Sequence, residues 1–347
     1  MNYTHPDHIF VIAEIGVNHN GSLERAKDMI EAAKESGADA VKFQTFSAQR
    51  LAHHLTPKAK YQKRAASRED ESHFEMLKSL ELSESDHLAL WEYASSRGIV
   101  FISTPYDVLS ARFLQEVIGV SFFKVASADI VDLELHKYLA GTGKHIFVST
   151  GMSCLGEIEH VVNIYRSSSP KLENLTLLHC TSNYPCSLES INLLAINTLR
   201  SAFNVPVGFS DHSSSNEAAI MSVALGASVV EKHFTLDKNS HGPDHQASME
   251  PTELSNYIRS IRNASRALGS ARKYCHDDEI DMRTVSRKSI FIKKRIEENE
   301  AITSEHLCLM RPGNGISPVF LSKLIGCKVS RSLEPGTQLC FDHISLP

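Results

Sequence analysis

Long apolar runs are missing from this 347-residue sequence: none approaches the roughly 18 consecutive apolar residues that a membrane span requires. Paired Cys-x-x-Cys motifs are missing too. The seven cysteines (Cys154, Cys180, Cys186, Cys275, Cys308, Cys327, Cys340) are odd in number and dispersed, which argues against a disulfide framework. They imply free thiols in a reducing compartment, so a cytoplasmic protein is expected. Nor is there a stripe of Lys and Arg. Short basic clusters such as Lys293-Lys294-Arg295 are mixed with acids, and the net charge is -5, so no nucleic-acid partner is expected. Met1–Pro6 has neither a basic region nor an apolar core, which argues against a signal peptide. Finally, no G-x-G-x-x-G follows the first strand-like run, which disfavours an open dinucleotide-binding sheet.

What is present is a regular alternation. Short β-like runs occur at Ile9–Gly16, Ala40–Phe46, Ile99–Pro105, Ser121–Ser127, His145–Gly151, Leu175–Ser182, Val205–Ser213 and Ser228–Thr235. Helical spacing fills the gaps. Leu23, Ala26, Met29, Ile30 and Ala33 form one apolar stripe ending at Gly37, and Ser83 reads as the N-cap of a helix through Arg97. Further helices are expected over Glu217–Leu225 and Thr252–Leu268, each followed by glycine. Strands separated by helices pair in parallel, and eight such units over about 250 residues predict a (β/α)8 TIM barrel.

The polar residues strengthen that expectation. Nearly every run begins apolar and turns polar toward its C-terminal end: Glu14, then Lys42 with Gln44, Ser103-Thr104, Lys124 with Ser127, Ser149, Ser182-Asn183, Ser210-Asp211-His212, and Glu231-Lys232-His233. A barrel gathers those ends at one face, where active sites sit. Any one of these side chains is more simply a capped turn or a satisfied core group; the agreement of eight strands points to a site.

Three chemistries follow from the residue types. His212 and His233 end consecutive strands and could share a Mn, Fe, Co or Zn ion, or could be two hydrogen-bonded histidines with no metal role. Lys42 and Lys124, with Ser127, Ser149, Thr104 and Ser210, could hold a dianion; a desolvated lysine could instead form a Schiff base, or pair with Glu14 or Glu231. Glu14, Asp129 and Asp244 could bind sugar hydroxyls or serve as a general base, and Asp211 could support His212.

After about Ser270 the pattern changes to alternating residues and turn signals, predicting residues 271–285 as a polar linker and 286–347 as a small β-rich domain after a barrel spanning 1–270. Within it, Ile296-Glu-Glu-Asn-Glu-Ala-Ile302 echoes Leu333-Glu-Pro-Gly-Thr-Gln-Leu339, and Glu305-His-Leu307 echoes Asp342-His-Ile344.

These stretches resemble the sialic acid synthase family. The residues that carry the resemblance are Ala13-Glu-Ile-Gly-Val-Asn-His19, Val41-Lys-Phe-Gln-Thr45, Ser103-Thr-Pro105, Lys124-Val-Ala-Ser127, Ser149-Thr-Gly-Met152, Tyr184-Pro185, Gly208-Phe-Ser-Asp-His212, Glu231-Lys-His-Phe-Thr-Leu-Asp237 and Gly242-Pro-Asp-His245. Arg311-Pro-Gly-Asn-Gly-Ile316 is similar to that family's small antifreeze-like (SAF, β-clip) domain. The resemblance implies condensation of phosphoenolpyruvate with an N-acetylated mannosamine-type sugar, in a homodimer whose SAF domains cap the partner barrels. It implies Mn²⁺, with Mg²⁺ or Co²⁺ as substitutes, on His212 and His233. Phosphoenolpyruvate would meet Lys42, Thr104, Lys124, Ser127, Ser149 and Ser210, with Ser182 or Asn183 at the phosphate. Glu14, Gln44, Asp129, Tyr184, Asp244 and the partner's Arg311 would face the sugar, and Glu14 or water activated at the metal would be the base. The acceptor could be N-acetylmannosamine, giving N-acetylneuraminate, or a diacetamido sugar, giving legionaminate or pseudaminate. The polar stretch His53–His73 could line the sugar end of the pocket.

Overall fold

The computed structural model describes residues 8–58 and 72–345, so residues 59–71 of the stretch expected near the sugar lie outside the described residues. The chain separates into two compact units, Met1–Gly269 and Ser270–Pro347.

The first unit is a closed barrel of eight parallel strands in sequence order. They are β1 (Phe10–Gly16), β2 (Ala40–Thr45), β3 (Val100–Pro105), β4 (Phe122–Val125), β5 (His145–Ser149), β6 (Leu175–Cys180), β7 (Val207–Asp211) and β8 (Val229–His233). β8 closes the ring against β1, with Phe10 opposite Val229 and Glu14 opposite His233. Each expected run contains its strand. The runs of β1 and β3 end where their strands end, and the other six overshot at their polar ends, because there the backbone leaves the ladder for loops and short turns such as Ser127–Val131.

Alternation along each strand explains both faces of the barrel. Val11, Ala13, Val41, Phe43, Val230 and Phe209 point outward into the core shared with the helices. Phe10, Ile12, Ala40, Ile102, Phe122, Phe147, Leu178 and Val229 form a second cluster that fills the barrel interior. Phe10 lies 6.0 Å from Phe122 and Phe122 lies 5.7 Å from Phe147, centroid to centroid. The next inward residue on several of these strands is polar: Glu14 two beyond Ile12, Lys42 two beyond Ala40, Thr104 two beyond Ile102, Lys124 two beyond Phe122, Ser149 two beyond Phe147, and Glu231 two beyond Val229. An apolar floor therefore supports a polar upper layer.

The helices follow their local signals. Ser22 accepts from the Arg25 N–H at the start of Leu23–Glu35, and Ser83 and Asp86 form a reciprocal capping box at Glu84–Ser96. The helix Pro251–Leu268 buries Leu254, Tyr257, Ile258 and Ile261 on one stripe. No helix among the described residues is long and apolar enough to cross a membrane.

The second unit has its own core of Ile290, Ile292, Ile296, Ile302, Leu307, Ile316, Leu324, Val329, Leu333 and Leu339. Its sequence echo is structural. Ile296 and Leu333 exchange backbone hydrogen bonds of 3.1 and 2.9 Å, so the two copies pair with each other. Asn299 and Gly336, equivalent in the echo, both take positive φ (65° and 86°). Turns at Ser304–His306 and Phe341–His343 also correspond. The expected linker differs from expectation: it contains a helix, Ile280–Ser286, preceded by a turn in which Glu279 accepts from the His276 N–H.

Candidate active site

Of the sequence-predicted residues, Glu14, Lys42, Gln44, Thr104, Lys124, Ser127, Ser149, Ser182, Tyr184, Ser210, His212, His233 and Asp244 all line one cavity of about 490 Å³ at the C-terminal mouth of the barrel. Asp129 sits on the short turn Ser127–Val131, and Asn183 is exposed; neither is in the lining, so Ser182 rather than Asn183 reaches the pocket. Arg311 belongs to the second unit and is exposed.

At the centre are two ammoniums and two carboxylates, all buried. Lys42 Nζ lies 2.7 Å from Glu14 and 3.7 Å from Glu231, and donates to Thr104 Oγ1 at 3.1 Å. Lys124 Nζ lies 3.4 Å from Glu231, which also accepts from Ser210 Oγ at 2.9 Å. The ion-pair reading of the lysines is thus realised, but inside the pocket. Burial alone would lower Lys42; Glu14 and Glu231 overcome it and hold its pKa above the ordinary value. Lys124 goes the other way, because burial outweighs its single close carboxylate. Burial would raise Glu231, yet Lys124 and Lys42 pull it down to about 2. Glu14 is raised, since burial and the facing Glu231 exceed the help from Lys42. Glu231 is the site residue the sequence reading left unassigned. The signal was available: it stands two residues before His233 on one strand, hence on the same face.

Beside Lys124 lies a cradle of small polar groups. The Gly151 N–H donates to Ser127 Oγ at 3.0 Å, and Ser127 Oγ lies 3.0 Å from Cys180 Sγ. A Cβ on Gly151 would approach Ser127 Oγ to 2.8 Å and Cys180 Sγ to 2.9 Å, so only glycine fits. The buried Ser149 Oγ has no hydrogen-bond partner among the described residues. An unsatisfied hydroxyl facing a cavity suits an anionic ligand.

The histidines stand opposite. Their rings are 5.6 Å apart, with Tyr184 4.1 Å from His212 and 5.6 Å from His233. His212 Nδ1 donates to the Thr181 carbonyl at 2.8 Å, which leaves a lone pair on Nε2. His233 Nδ1 is buried without a hydrogen bond among the described residues, 4.0 Å from Asp244 Oδ2. Burial pushes His212 down to about 4, and burial with the neighbouring His212 keeps His233 well below its ordinary value. Both rings are neutral near pH 7, as metal ligation demands. Among the described residues no third His, Cys, Asp or Glu completes a cluster, so the pair would leave positions for substrate and water. Burial, then Glu14, pushes Asp244 up to about 7.

Asp211 does not support His212. It and Lys232 face the helices, where Lys232 Nζ donates to Asp211 Oδ2 at 3.1 Å and to the Ser213 carbonyl, and the Tyr257 hydroxyl donates to Asp211 at 2.7 Å. That network anchors the ends of β7 and β8 from outside.

Residues 29–273 match the model of the NeuB family. An N,N'-diacetyllegionaminic acid synthase of Legionella pneumophila is 44% identical over 96% of this chain and 94% of its own. The human N-acetylneuraminate-9-phosphate synthase is 36% identical over 94% of this chain and 89% of its own. Among solved structures, an N-acetylneuraminic acid synthetase from Leptospira borgpetersenii in complex with citrate aligns with TM-score 0.70 and 33% identity, covering 80% of this chain and 90% of that one.

Proposed function

The chain belongs to the NeuB family, a family of nonulosonate synthases, and from that premise we propose that it joins phosphoenolpyruvate to an open-chain, N-acetylated mannosamine-type sugar, giving a nine-carbon 2-keto acid and phosphate. The observation that carries this reading is the placement of Lys42 and Lys124 in one pocket with two neutral imidazoles, above an apolar floor.

The residues present fit a divalent ion: His212 offers Nε2, and the unpartnered buried nitrogen of His233 offers a second donor. Mn²⁺, with Mg²⁺ or Co²⁺ as substitutes, would be held by those two side chains and when bound supplies Lewis-acid polarisation of the sugar aldehyde. Lys42 and Lys124 bind the carboxylate and phosphate of phosphoenolpyruvate as point charges, while Thr104, Ser127, Ser149, Ser182 and Ser210 orient its oxygens. Gln44, Tyr184 and Asp244 face the sugar. Its C1 accepts the electron pair of the phosphoenolpyruvate double bond through C3, and Asp244, half-protonated near pH 7, gives the new hydroxyl its proton. Positive charge at C2 is stabilised by Glu14 and Glu231. Water adds there, Glu14 takes its proton, and the C–O bond to phosphate breaks as the 2-keto group forms.

A Schiff base on Lys124, whose ammonium burial disfavours, is the second reading. Borohydride in the presence of substrate would trap a covalent adduct under it and none under the first.

In this reading the second unit is an SAF domain, supported by its self-paired halves, and a homodimer would bring the exposed Arg311 to the partner's pocket. The seven free cysteines support a cytoplasmic location. Phosphate release from phosphoenolpyruvate, dependent on an N-acetylated mannose-type acceptor, tests the assignment; release without an acceptor, or none with any, would overturn it.

A further inference from the structure

One buried cluster of charge lies outside the pocket, on the outer side of β7 and β8. It consists of Asp211, Lys232 and Tyr257 of the helix Pro251–Leu268, none of them more than 1% exposed. A buried ion pair is weak evidence for stability, because apolar residues of like volume pack such a place as well or better. What distinguishes this one is its address. Asp211 and Lys232 stand opposite each other in the β7–β8 ladder, and the residues that follow them are His212 and His233.

The hydrogen bonds converge on one carboxylate. Asp211 Oδ1 accepts from the Ser213 N–H at 2.8 Å, which closes a turn around His212. Oδ2 accepts from the Tyr257 hydroxyl at 2.7 Å and from Lys232 Nζ at 3.1 Å. Lys232 Nζ also donates to the Ser213 carbonyl and lies 5.5 Å from the centre of the Tyr257 ring. Both strand ends are thereby tied together from behind. On the pocket side His212 has a bond of its own, to the Thr181 carbonyl, whereas His233 Nδ1 has none among the described residues. The direction of the His233 ring therefore depends on the backbone that Lys232 holds.

We infer that Tyr257 is a positioning residue for the metal pair: its hydroxyl fixes the Asp211 carboxylate, and the carboxylate fixes the separation of His212 and His233 on the opposite face. The inference rests on the assignment of a divalent ion to those two side chains. Asp211 touches neither imidazole, so the effect passes through the backbone of the two strand ends. Without the Tyr257 hydroxyl, the carboxylate is free to turn and the brace behind both ligands loosens. Supporting partners of metal ligands are worth about 10- to 100-fold in affinity, and a partner acting through the backbone belongs at the lower end.

The test is Mn²⁺ binding to the full-length protein without substrate, followed by the paramagnetic resonance signal of free Mn²⁺. Tyr257→Phe removes the hydroxyl and keeps the ring; Asp211→Asn keeps the shape but cannot accept from Tyr257 and Lys232 together. Each should raise the dissociation constant about 10-fold, and the two combined no more than the larger alone, since both act at one oxygen. Half-maximal turnover should need correspondingly more Mn²⁺, with kcat at saturating metal and KM for phosphoenolpyruvate within about 2-fold of the wild type. Ile261→Val, which removes one methylene from the buried stripe of the same helix, is the control for packing alone and should keep the wild-type constant even where it melts earlier. Thermal melts establish that each variant folds; if Tyr257→Phe does not, Asp211→Asn decides. An unchanged Mn²⁺ constant in either network variant, or an equal rise in Ile261→Val, would overturn the inference and leave the metal assignment standing. Failure of the wild type to bind Mn²⁺ would overturn both.

Discussion

His212 and His233 differ from the buried His136 and His145 in lining the barrel-mouth cavity together, with their rings 5.6 Å apart. His136 and His145 spend a nitrogen on Tyr165 and Thr176, at 3.0 Å each. His212→Ala and His233→Ala should therefore each lower bound Mn²⁺, read by elemental analysis of the dialysed protein, and lower turnover by a factor of at least about 100. Retained metal and turnover in either variant would refute the assignment. Lys42 and Lys124 share Glu231 but are oppositely shifted, so they are separable. Lys42→Met leaves Glu14 and Glu231 short of a counter-charge inside the barrel. It should cost roughly 3 kcal/mol of stability as well as raising KM for phosphoenolpyruvate about 10-fold or more, seen by chemical denaturation and initial rates. A variant with wild-type stability and KM would show that the pair is incidental.

Among the elements, the strands were the legible part. Each announces itself by β-branched or aromatic residues and by a turn to polarity, and alternation then decides that Glu14, Lys42, Lys124 and His233 share one face. The same alternation puts Glu231 on that face, two residues before His233, and the pairing of Lys232 with Asp211 under Tyr257 occupies the opposite face. The apolar side of the cavity, lined by Met76, Leu77 and Leu80 of the helix His73–Leu80, was not legible: that helix follows a polar stretch, and its leucines read alone as ordinary core. The helix Ile280–Ser286 escaped notice because its apolar residues are exposed and show no buried stripe. At this scale the outer network makes a prediction. Lys232→Met strands the Asp211 carboxylate in the core and should destabilise the protein by about 3–5 kcal/mol, while Lys232→Met combined with Asp211→Leu should recover part of that loss. Equal stability of Lys232→Met and the wild type would show that the network carries no weight.

For the whole molecule, protonation sets a limit on stability. Burial pushes His19 and His136 down to about 4 and His145 to about 3. Unfolded, each would titrate near 6.5, so below that pH the unfolded chain takes up protons that the folded one refuses, and stability falls as pH drops from 6.5 toward 4. Asp129 and Asp244, raised to about 7 chiefly by burial, act in the opposite sense and favour the folded state toward acid. With His212 and His245 also held near 4, the imidazoles outnumber these carboxyls and the net slope follows the histidines. The melting temperature should drop by roughly 5 °C between pH 6.5 and 5; a flat or rising profile would contradict this balance. Two compact units in one chain also imply divided labour. Deletion of the residues after Ser286 should leave a folded barrel with lowered turnover, and a dimeric truncation with full activity would deny Arg311 a part in the partner's site.

The central claim is that the buried lysines, the hydroxyl cradle and the two imidazoles serve the joining of phosphoenolpyruvate to an N-acetylated sugar aldehyde. Reaction of the Mn²⁺-supplemented protein in ¹⁸O-labelled water, with mass analysis of both products, tests it most directly. One equivalent of unlabelled phosphate is expected for each nine-carbon 2-keto acid formed, with label entering the sugar product at C2. Label in the phosphate, or phosphate formed without the nine-carbon acid, would contradict it.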